Sequence, residues 1–111
     1  MVIRVLIAED MHMIRGALVA LLSLEADMEV VAELDRGDEI VPQALATKPD
    51  VAVLDIDLPG LDGLSAAERL HDELPDCRIL ILTGLSQPAS RAMRIASMRL
   101  RPPTLLMALD R

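Results

Sequence analysis

Residues 51–60 read VAVLDIDLPG, and this stretch decides the fold. Its first four residues form a short apolar run rich in valine, which is typical of a strand that is buried on both faces. Asp55 follows this run directly, and Pro59 and Gly60 then give a turn signal. A carboxylate therefore stands where a buried strand reaches the surface, which is where open parallel sheets bind their ligands.

Two further apolar runs end in a similar way. Residues 2–8 lead into Glu9 and Asp10, and residues 79–82 lead into Thr83. Because the carboxyl ends of parallel strands meet at one edge of the sheet, we expect the three strand ends to converge there. The sequence thus predicts a group of acids and one hydroxyl around a single site.

Strands and helices alternate in the part of the chain before Gly84. Short β-branched runs predict strands at residues 2–8, 28–34, 51–54 and 78–83. Apolar residues at helical spacing predict helices at about residues 14–22, at residues 38–47 and after Asp62, which would act as a helix N-cap. We therefore predict an α/β protein with a doubly wound parallel sheet of the flavodoxin-like type, arranged in three layers.

Length and composition limit the class of protein. A chain of 111 residues, 52% of them hydrophobic, is enough for one domain and too short for two. A net charge of -7 argues against non-specific binding to nucleic acid or to anionic membranes. Cys77 is the single cysteine, and no apolar stretch reaches the roughly 20 residues that cross a bilayer. We expect a cytoplasmic protein that has no internal disulfide and no membrane partner.

The acids at the strand ends predict a metal site. Glu9, Asp10 and Asp55 would repel one another, and the usual relief is a hard cation such as Mg²⁺, which prefers oxygen ligands. An ionised Asp beside Mg²⁺ can accept a phosphoryl group without a general base, and Thr83 could donate a hydrogen bond to that group. The alternative is that each acid is an ordinary loop residue, which is less attractive because three strand ends coincide.

Three motifs resemble the receiver domain of bacterial two-component response regulators. They are IAED at residues 7–10, LDIDLPGLDG at residues 54–63 and ILTG at residues 81–84. The resemblance covers about residues 1–88 and is of the kind found in regulators whose second half is a helix-turn-helix DNA-binding domain. It implies a signalling phosphoacceptor that takes a phosphoryl group from a sensor histidine kinase, with Mg²⁺ as cofactor, and not an enzyme.

The same resemblance implies roles for individual residues. Asp55 would accept the phosphoryl group. Glu9 and Asp10 would form the acidic pair, with Asp10 the more direct Mg²⁺ ligand. The backbone carbonyl of Asp57 would complete the protein ligands, and the Thr83 hydroxyl would close onto the phosphoryl group. DNA would be a partner only through a C-terminal domain that this sequence does not include.

Residues 89–111 depart from the family pattern, so we divide the chain into a receiver core at residues 1–88 and an atypical Arg-rich tail. The tail holds five of the 11 basic residues and one of the 18 acidic ones. It lacks the aromatic residue and the lysine that the family places near its last strand, since Lys48 is the single lysine. A shifted reading frame or a truncated gene would produce such a tail, and the alternative is a divergent but real last strand and helix. We expect a sheet that is incomplete at its C-terminal strand and helix, although residues 104–109 could form a strand.

An incomplete sheet would leave an apolar strand edge near residues 79–82. We therefore expect a homodimer or a higher oligomer, with Leu105, Leu106 and Leu109 at or near the contact. The arginines of the tail are interpreted as an ordinary solvated helix face, because the chain has no aromatic residue that could stack on bases.

Two other functions stay open. A receiver-like module that lacks the lysine could act through protein contacts alone, without phosphotransfer. Asp55 and Asp57 also resemble the first motif of haloacid-dehalogenase-type phosphatases, but Pro59 stands where that family has Thr or Val. His12 is interpreted as a solvated capping residue at a helix start, and Cys77 as an inert, half-buried thiol.

Overall fold

A computed structural model of the chain describes residues 1–83 and the strand Thr104–Ala108. The strands are β1 (Ile3–Ala8), β2 (Met28–Leu34), β3 (Val51–Asp55), β4 (Arg78–Thr83) and β5 (Thr104–Ala108), and the helices are α1 (His12–Ser23), α2 (Ile40–Thr47) and α3 (Gly63–Glu73). A short 3-10 helix, Gly37–Glu39, leads into α2. The strands and helices predicted before residue 84 are confirmed, with small differences at their ends.

The strands form one parallel sheet in the order β2-β1-β3-β4-β5. β1 pairs with both β2 and β3, so the chain first moves to one side of β1 and then crosses to the other side. Doubly wound sheets bind ligands at this reversal of winding direction. The flavodoxin-like α/β fold is confirmed, and its expected binding crevice lies between the ends of β1 and β3.

The sheet contains the last strand that we expected to be missing. β5 runs parallel to β4, in a register that extends from Ile79 beside Thr104 to Thr83 beside Ala108. The edge of β4 is therefore covered, and the expectation of an open edge there is wrong. A strand pairs through its backbone N–H and C=O groups, so the absence of an aromatic residue and a lysine did not prevent pairing. The division of the chain at residue 88 stays a prediction, and the expected last helix lies outside the described residues.

Helices cover both faces of the sheet. Side chains alternate along β1, so Val5 and Ile7 pack with α1, whereas Leu6 and Ala8 pack with α2 and α3. The face of α2 and α3 holds the larger core, and its fully buried large side chains are Leu6, Ile40, Leu54, Leu70 and Ile81. The three-layer arrangement is thus confirmed for the described residues.

Local sequence signals explain where two helices begin. Pro42 is the third residue of α2, where the missing N–H costs little because the first N–H groups of a helix have no intrahelical acceptor. Asp62 is the N-cap of α3, and its carboxylate accepts a hydrogen bond from the Ser65 backbone N–H at 2.9 Å. This cap fixes the end of the loop that follows β3.

Within residues 1–83, no helix is both long and apolar enough to cross a membrane.

Candidate metal centre

The predicted site residues lie where neighbouring strands end. β1 and β3 pair in parallel register, so Glu9, which follows β1, lies beside Asp55 at the end of β3. Asp55 in turn pairs with Leu82, the residue before Thr83. The register therefore brings the first, third and fourth strand ends to one edge of the sheet, as the sequence predicts.

Three carboxylates form a compact cluster at this edge. Glu9, Asp10 and Asp55 each offer one oxygen atom, and these oxygens lie within 4.8 Å of one another. The Glu9 side chain is fully buried and Asp55 is 6% exposed, whereas Asp10 is exposed to solvent. Two of the three acids are thus removed from water, which is rare for carboxylates without a charged partner.

One oxygen of the cluster has no hydrogen-bond donor. Glu9 Oε1 accepts a hydrogen bond from the Met11 backbone N–H at 3.2 Å, but Glu9 Oε2 is buried and has no partner in the described part of the chain. Leaving a buried carboxylate oxygen unpaired is costly, and a bound cation removes that cost. A set of carboxylate oxygens that includes one exposed acid suits Mg²⁺, which keeps several of its waters. The residues present therefore fit the predicted magnesium ion.

Burial and mutual repulsion change the ionisation of the two buried acids. Burial raises the pKa of Asp55 to about 7, and the charge of Glu9 and a hydrogen bond shared with it act in the same direction. Burial also raises the pKa of Glu9, although the Met11 N–H opposes this shift. Without metal the pair therefore holds a proton near neutral pH, and a cation that binds there displaces it.

Arg15 reaches the site from α1, and the sequence analysis missed it. Its guanidinium donates a hydrogen bond to the Glu9 backbone carbonyl at 2.7 Å, and another of its nitrogens lies 2.8 Å from His12 Nδ1. Arg15 therefore holds the turn that carries Glu9 and Asp10. The available signal was the spacing of His12 and Arg15, which places both on one face of α1. His12 is exposed, as expected, but the N-cap of α1 is Met11, so the capping role is wrong.

The loop after β3 fits tightly around Asp55. The Asp57 backbone N–H donates to the Asp55 carboxylate, and the Gly63 N–H donates to the Ile56 carbonyl at 2.8 Å. A Cβ atom at Gly63 would lie 1.9 Å from the Asp55 carbonyl oxygen, so glycine is required there. Gly60 has a φ of +83°, which glycine adopts without strain. This geometry agrees with the tight loop that the sequence motif predicts.

Two predicted site residues are placed by the fold, but their roles stay predictions. Thr83 is the last residue of β4, at the same edge of the sheet as Asp55. Asp57 is exposed in the loop directly after β3. The hydrogen bond expected from the Thr83 hydroxyl and the metal contact expected from the Asp57 carbonyl both need the bound groups to form.

Cys77 lies at the opposite end of the sheet, just before β4. It is buried, and burial raises the pKa of its thiol to about 11. The reactive thiolate is therefore scarce at neutral pH, which agrees with the interpretation of an inert thiol. The side chain is more buried than the sequence analysis expected, because it packs in the core on the α2 and α3 side of the sheet.

The fold and the site agree with a known family. The model of the response regulator receiver domain matches residues 5–99, and the chain belongs to this family. The general function of the family is to accept a phosphoryl group in two-component signalling, with Mg²⁺ at an acidic cluster. The match extends 11 residues beyond residue 88, where our sequence analysis placed the end of the receiver core.

The relatives of this chain include a transcriptional regulator and an enzyme. The transcriptional regulatory protein DesR of Bacillus subtilis is 46% identical over 86 residues, which are 78% of this chain and 42% of DesR. A protein-glutamate methylesterase/protein-glutamine glutaminase of Bradyrhizobium diazoefficiens is 42% identical over 85 residues, which are 77% of this chain and 21% of that protein. This chain thus spans less than half the length of these relatives.

A solved structure gives the same result for the fold. A DNA-binding response regulator of the LuxR family from Staphylococcus aureus superposes with a TM-score of 0.80 at 28% identity. The alignment covers 95% of this chain and 86% of that one. The receiver-type fold predicted from the sequence is therefore confirmed.

The raised pKa of Asp55 predicts that the metal-free protein loses stability as pH rises. The folded state binds a proton more tightly than the unfolded chain, so this stabilisation is full below about pH 4 and is lost as pH rises through about 7. We expect the free energy of unfolding to fall by about 3 kcal/mol between pH 5 and 8, since about two pH units of this range lie below the raised pKa and each corresponds to about 1.4 kcal/mol. Urea unfolding in EDTA measures this change.

Asp55→Asn removes the titrating group and should therefore lose most of this pH dependence. Glu25→Gln is the matched control, because Glu25 is an exposed carboxylate beyond the end of α1. The control should keep the pH dependence of the parent. An unfolding free energy that falls equally in the parent and in Asp55→Asn would contradict the assignment of the proton to this pair.

Proposed function

We propose that this chain is the phosphoacceptor domain of a transcriptional regulator, in which Asp55 takes a phosphoryl group from a sensor histidine kinase with Mg²⁺ bound. The observation that carries the proposal is the buried pair of Glu9 and Asp55, in which Glu9 Oε2 has no donor among the described residues. Two adjacent buried acids without a cation destabilise a fold. Binding of a cation and a phosphoryl group would offset this destabilisation and gives a functional reason for the two buried acids.

Phosphoryl transfer needs an ionised acceptor close to the phosphorus atom. A carboxylate oxygen of Asp55 forms the new O–P bond while the N–P bond of a phosphohistidine breaks, and the histidine nitrogen keeps the electron pair of that bond. The Asp57 backbone N–H donates to the Asp55 carboxylate and so favours its ionised form. The product is an acyl phosphate on Asp55, which water can later hydrolyse.

Glu9, Asp10 and Asp55 would hold the metal. Asp57 would add its backbone carbonyl. Bound Mg²⁺ supplies positive charge that offsets the negative charge of the transferred group. Glu9 contributes a buried oxygen, whereas Asp10 contributes an exposed one that can meet the ion at the surface. From the end of β4, Thr83 would donate a hydrogen bond to a phosphoryl oxygen.

The proposed partners follow from the family and from the relatives. Receiver domains interact with histidine kinases, so a kinase is the proposed phosphoryl donor. The similarity to DesR and to a DNA-binding regulator of the LuxR family supports a transcriptional output. DNA contact would then require a further domain, because the described residues form a receiver fold alone. The cytoplasmic location stays a prediction.

A receiver-like module without phosphotransfer is the second candidate, and the distribution of cations favours it. Lys48, the single lysine, ends α2 with a φ of 51° and precedes β3, so it lies at the edge of the sheet away from Asp55. Within the described residues, Arg15 is the cation that contacts the acidic turn. The phosphatase hypothesis gains no support, since Pro59 still breaks the required motif.

Asp55→Asn should abolish phosphorylation and preserve the fold, because an amide cannot act as the phosphoryl acceptor. The parent, incubated with acetyl phosphate and Mg²⁺, should gain the mass of one phosphoryl group in an intact-mass measurement. Asp76→Asn is the matched control, since Asp76 is exposed at the opposite edge of the sheet, before β4. A phosphoryl adduct on Asp55→Asn would contradict the acceptor assignment, and no adduct on the parent would favour the interaction module.

Asp10→Ala should weaken Mg²⁺ binding by about tenfold, because the site loses one of few protein ligands. The same change should raise the melting temperature of the metal-free protein, because it removes one of three mutually repelling acids. Thermal melts with and without MgCl₂ measure both effects. A variant that Mg²⁺ stabilises as strongly as the parent would rule out Asp10 as a ligand.

Self-association is still a prediction, but the open strand edge that was one reason to expect it is absent from the described sheet. β5 covers the edge of β4 that we expected to be open. Leu105 and Leu106 lie in β5, and Leu109 lies outside the described residues. We still propose that the chain forms a homodimer or a higher oligomer, and light scattering at micromolar concentration measures its mass. A stable monomer with a cooperative melt would mean that the tail completes its own domain.

A further inference from the structure

The residues between β2 and α2 touch the loop that follows Asp55. We name residues 56–62 the acceptor loop, because they connect Asp55 to α3. The Gly37 backbone N–H donates to the Pro59 carbonyl at 2.9 Å. A Cβ atom at Gly37 would lie 1.6 Å from the Leu61 carbonyl oxygen and 2.6 Å from its carbon. The two backbones therefore meet without room for any side chain.

A second contact holds the tip of the same loop. Arg36 and Asp38 form a two-point ion pair with distances of 3.0 and 3.1 Å. A Cβ atom at Gly60 would lie 2.7 Å from the Asp38 carboxylate and 2.8 Å from an Arg36 nitrogen. The ion pair thus packs directly on the backbone of Gly60, where φ is +83°.

Open space borders the contact between residues 36–38 and the acceptor loop. A cavity of about 410 Å³ between α2 and α3 is lined by Gly37, Asp38 and Leu61 among others. The acceptor loop therefore has room to shift if its contact with residues 36–38 is disturbed. At the other end, Gly63 is tied to Ile56 by its N–H at 2.8 Å, so the movable part is the segment between them.

We infer that residues 36–38 position the acceptor loop, so that Mg²⁺ affinity at the acidic cluster depends on a segment that does not touch the ion. Asp57 lies in this loop, and its N–H already binds the Asp55 carboxylate. A shift of the loop would move the Asp57 carbonyl and weaken the hydrogen bond to Asp55. The inference rests on the proposed function, because it takes Asp57 as a ligand of the metal.

Gly37→Ala tests this inference, and the chain supplies a matched control. The new methyl group should displace the acceptor loop and weaken Mg²⁺ binding by about tenfold, as is typical when a group supporting a metal ligand is lost. Gly16→Ala introduces the same methyl group in α1, where no atom beyond the neighbouring residues and the local helix backbone lies within 4 Å in the described part of the chain. The control should bind Mg²⁺ with the affinity of the parent.

Arg36→Gln is a second variant in case Gly37→Ala fails to fold. Arg36 is about half exposed, and its loss removes the ion pair on Gly60 without placing a new atom in the contact. We expect a smaller loss of affinity, about threefold, together with changed amide signals of Asp57 and Gly60 in the metal-free protein. A purely structural role would lower the unfolding midpoint and leave these signals and the affinity unchanged.

Titration of ¹⁵N-labelled protein with MgCl₂, followed by NMR, measures the affinity and the amide signals together. Weaker binding in Gly37→Ala and Arg36→Gln, with parental binding in Gly16→Ala, supports the inference. Parental affinity in either folded variant of residues 36–38 overturns it while leaving the proposed function intact. A parent chain that binds no Mg²⁺ overturns the proposed function and this inference together.

Discussion

The burial of two carboxylates side by side is the constraint on which the rest of this structure depends. Glu9 and Asp55 end neighbouring strands, and neither is more than 6% exposed. Their contact follows from the pairing of β1 with β3, so it cannot be relieved without breaking the centre of the sheet. Burial, together with the charge of Glu9, raises the pKa of Asp55 to about 7, so in the absence of a cation one proton shared by the pair reduces the repulsion.

The groups around Glu9 and Asp55 fix the position of the two acids but do not neutralise their charge. Arg15 donates to the backbone of Glu9, not to its carboxylate, so the turn is fixed while one acid oxygen stays unpaired. On the other side, Gly63 and Gly37 allow the acceptor loop to pack closely against neighbouring backbone. A site that holds two buried acids side by side is suited to a cation, which then links metal binding to folding.

Much of the fold follows from the sequence because strong local signals agree with one another. Apolar runs that end in acids predicted the strands and their common edge, and Asp62 predicted the start of α3. The failure concerned β5, where missing family side chains were taken as evidence against a strand. Backbone pairing with β4 does not depend on those side chains, so an apolar run such as residues 104–108 was sufficient.

The candidate site was predictable in composition but not in its supporting contacts. The acids could be found because each follows a strand directly. Arg15 and Gly37 donate to backbone carbonyls outside their own elements. The spacing of His12 and Arg15 indicates a shared face of α1, but no sequence pattern indicates which carbonyl Arg15 or Gly37 contacts. The large pKa shift of Asp55 likewise depends on burial beside Glu9, which only the folded arrangement reveals.

Binding of beryllofluoride in the presence of Mg²⁺ tests the central claim most directly, because this anion imitates a phosphoryl group on an ionised Asp. Fluorine NMR of the parent should give protein-bound signals that require Mg²⁺ and vanish in Asp55→Asn. Bound signals that persist without Mg²⁺ or in Asp55→Asn, or no bound signal in the parent at all, would contradict a Mg²⁺-dependent phosphoacceptor at Asp55.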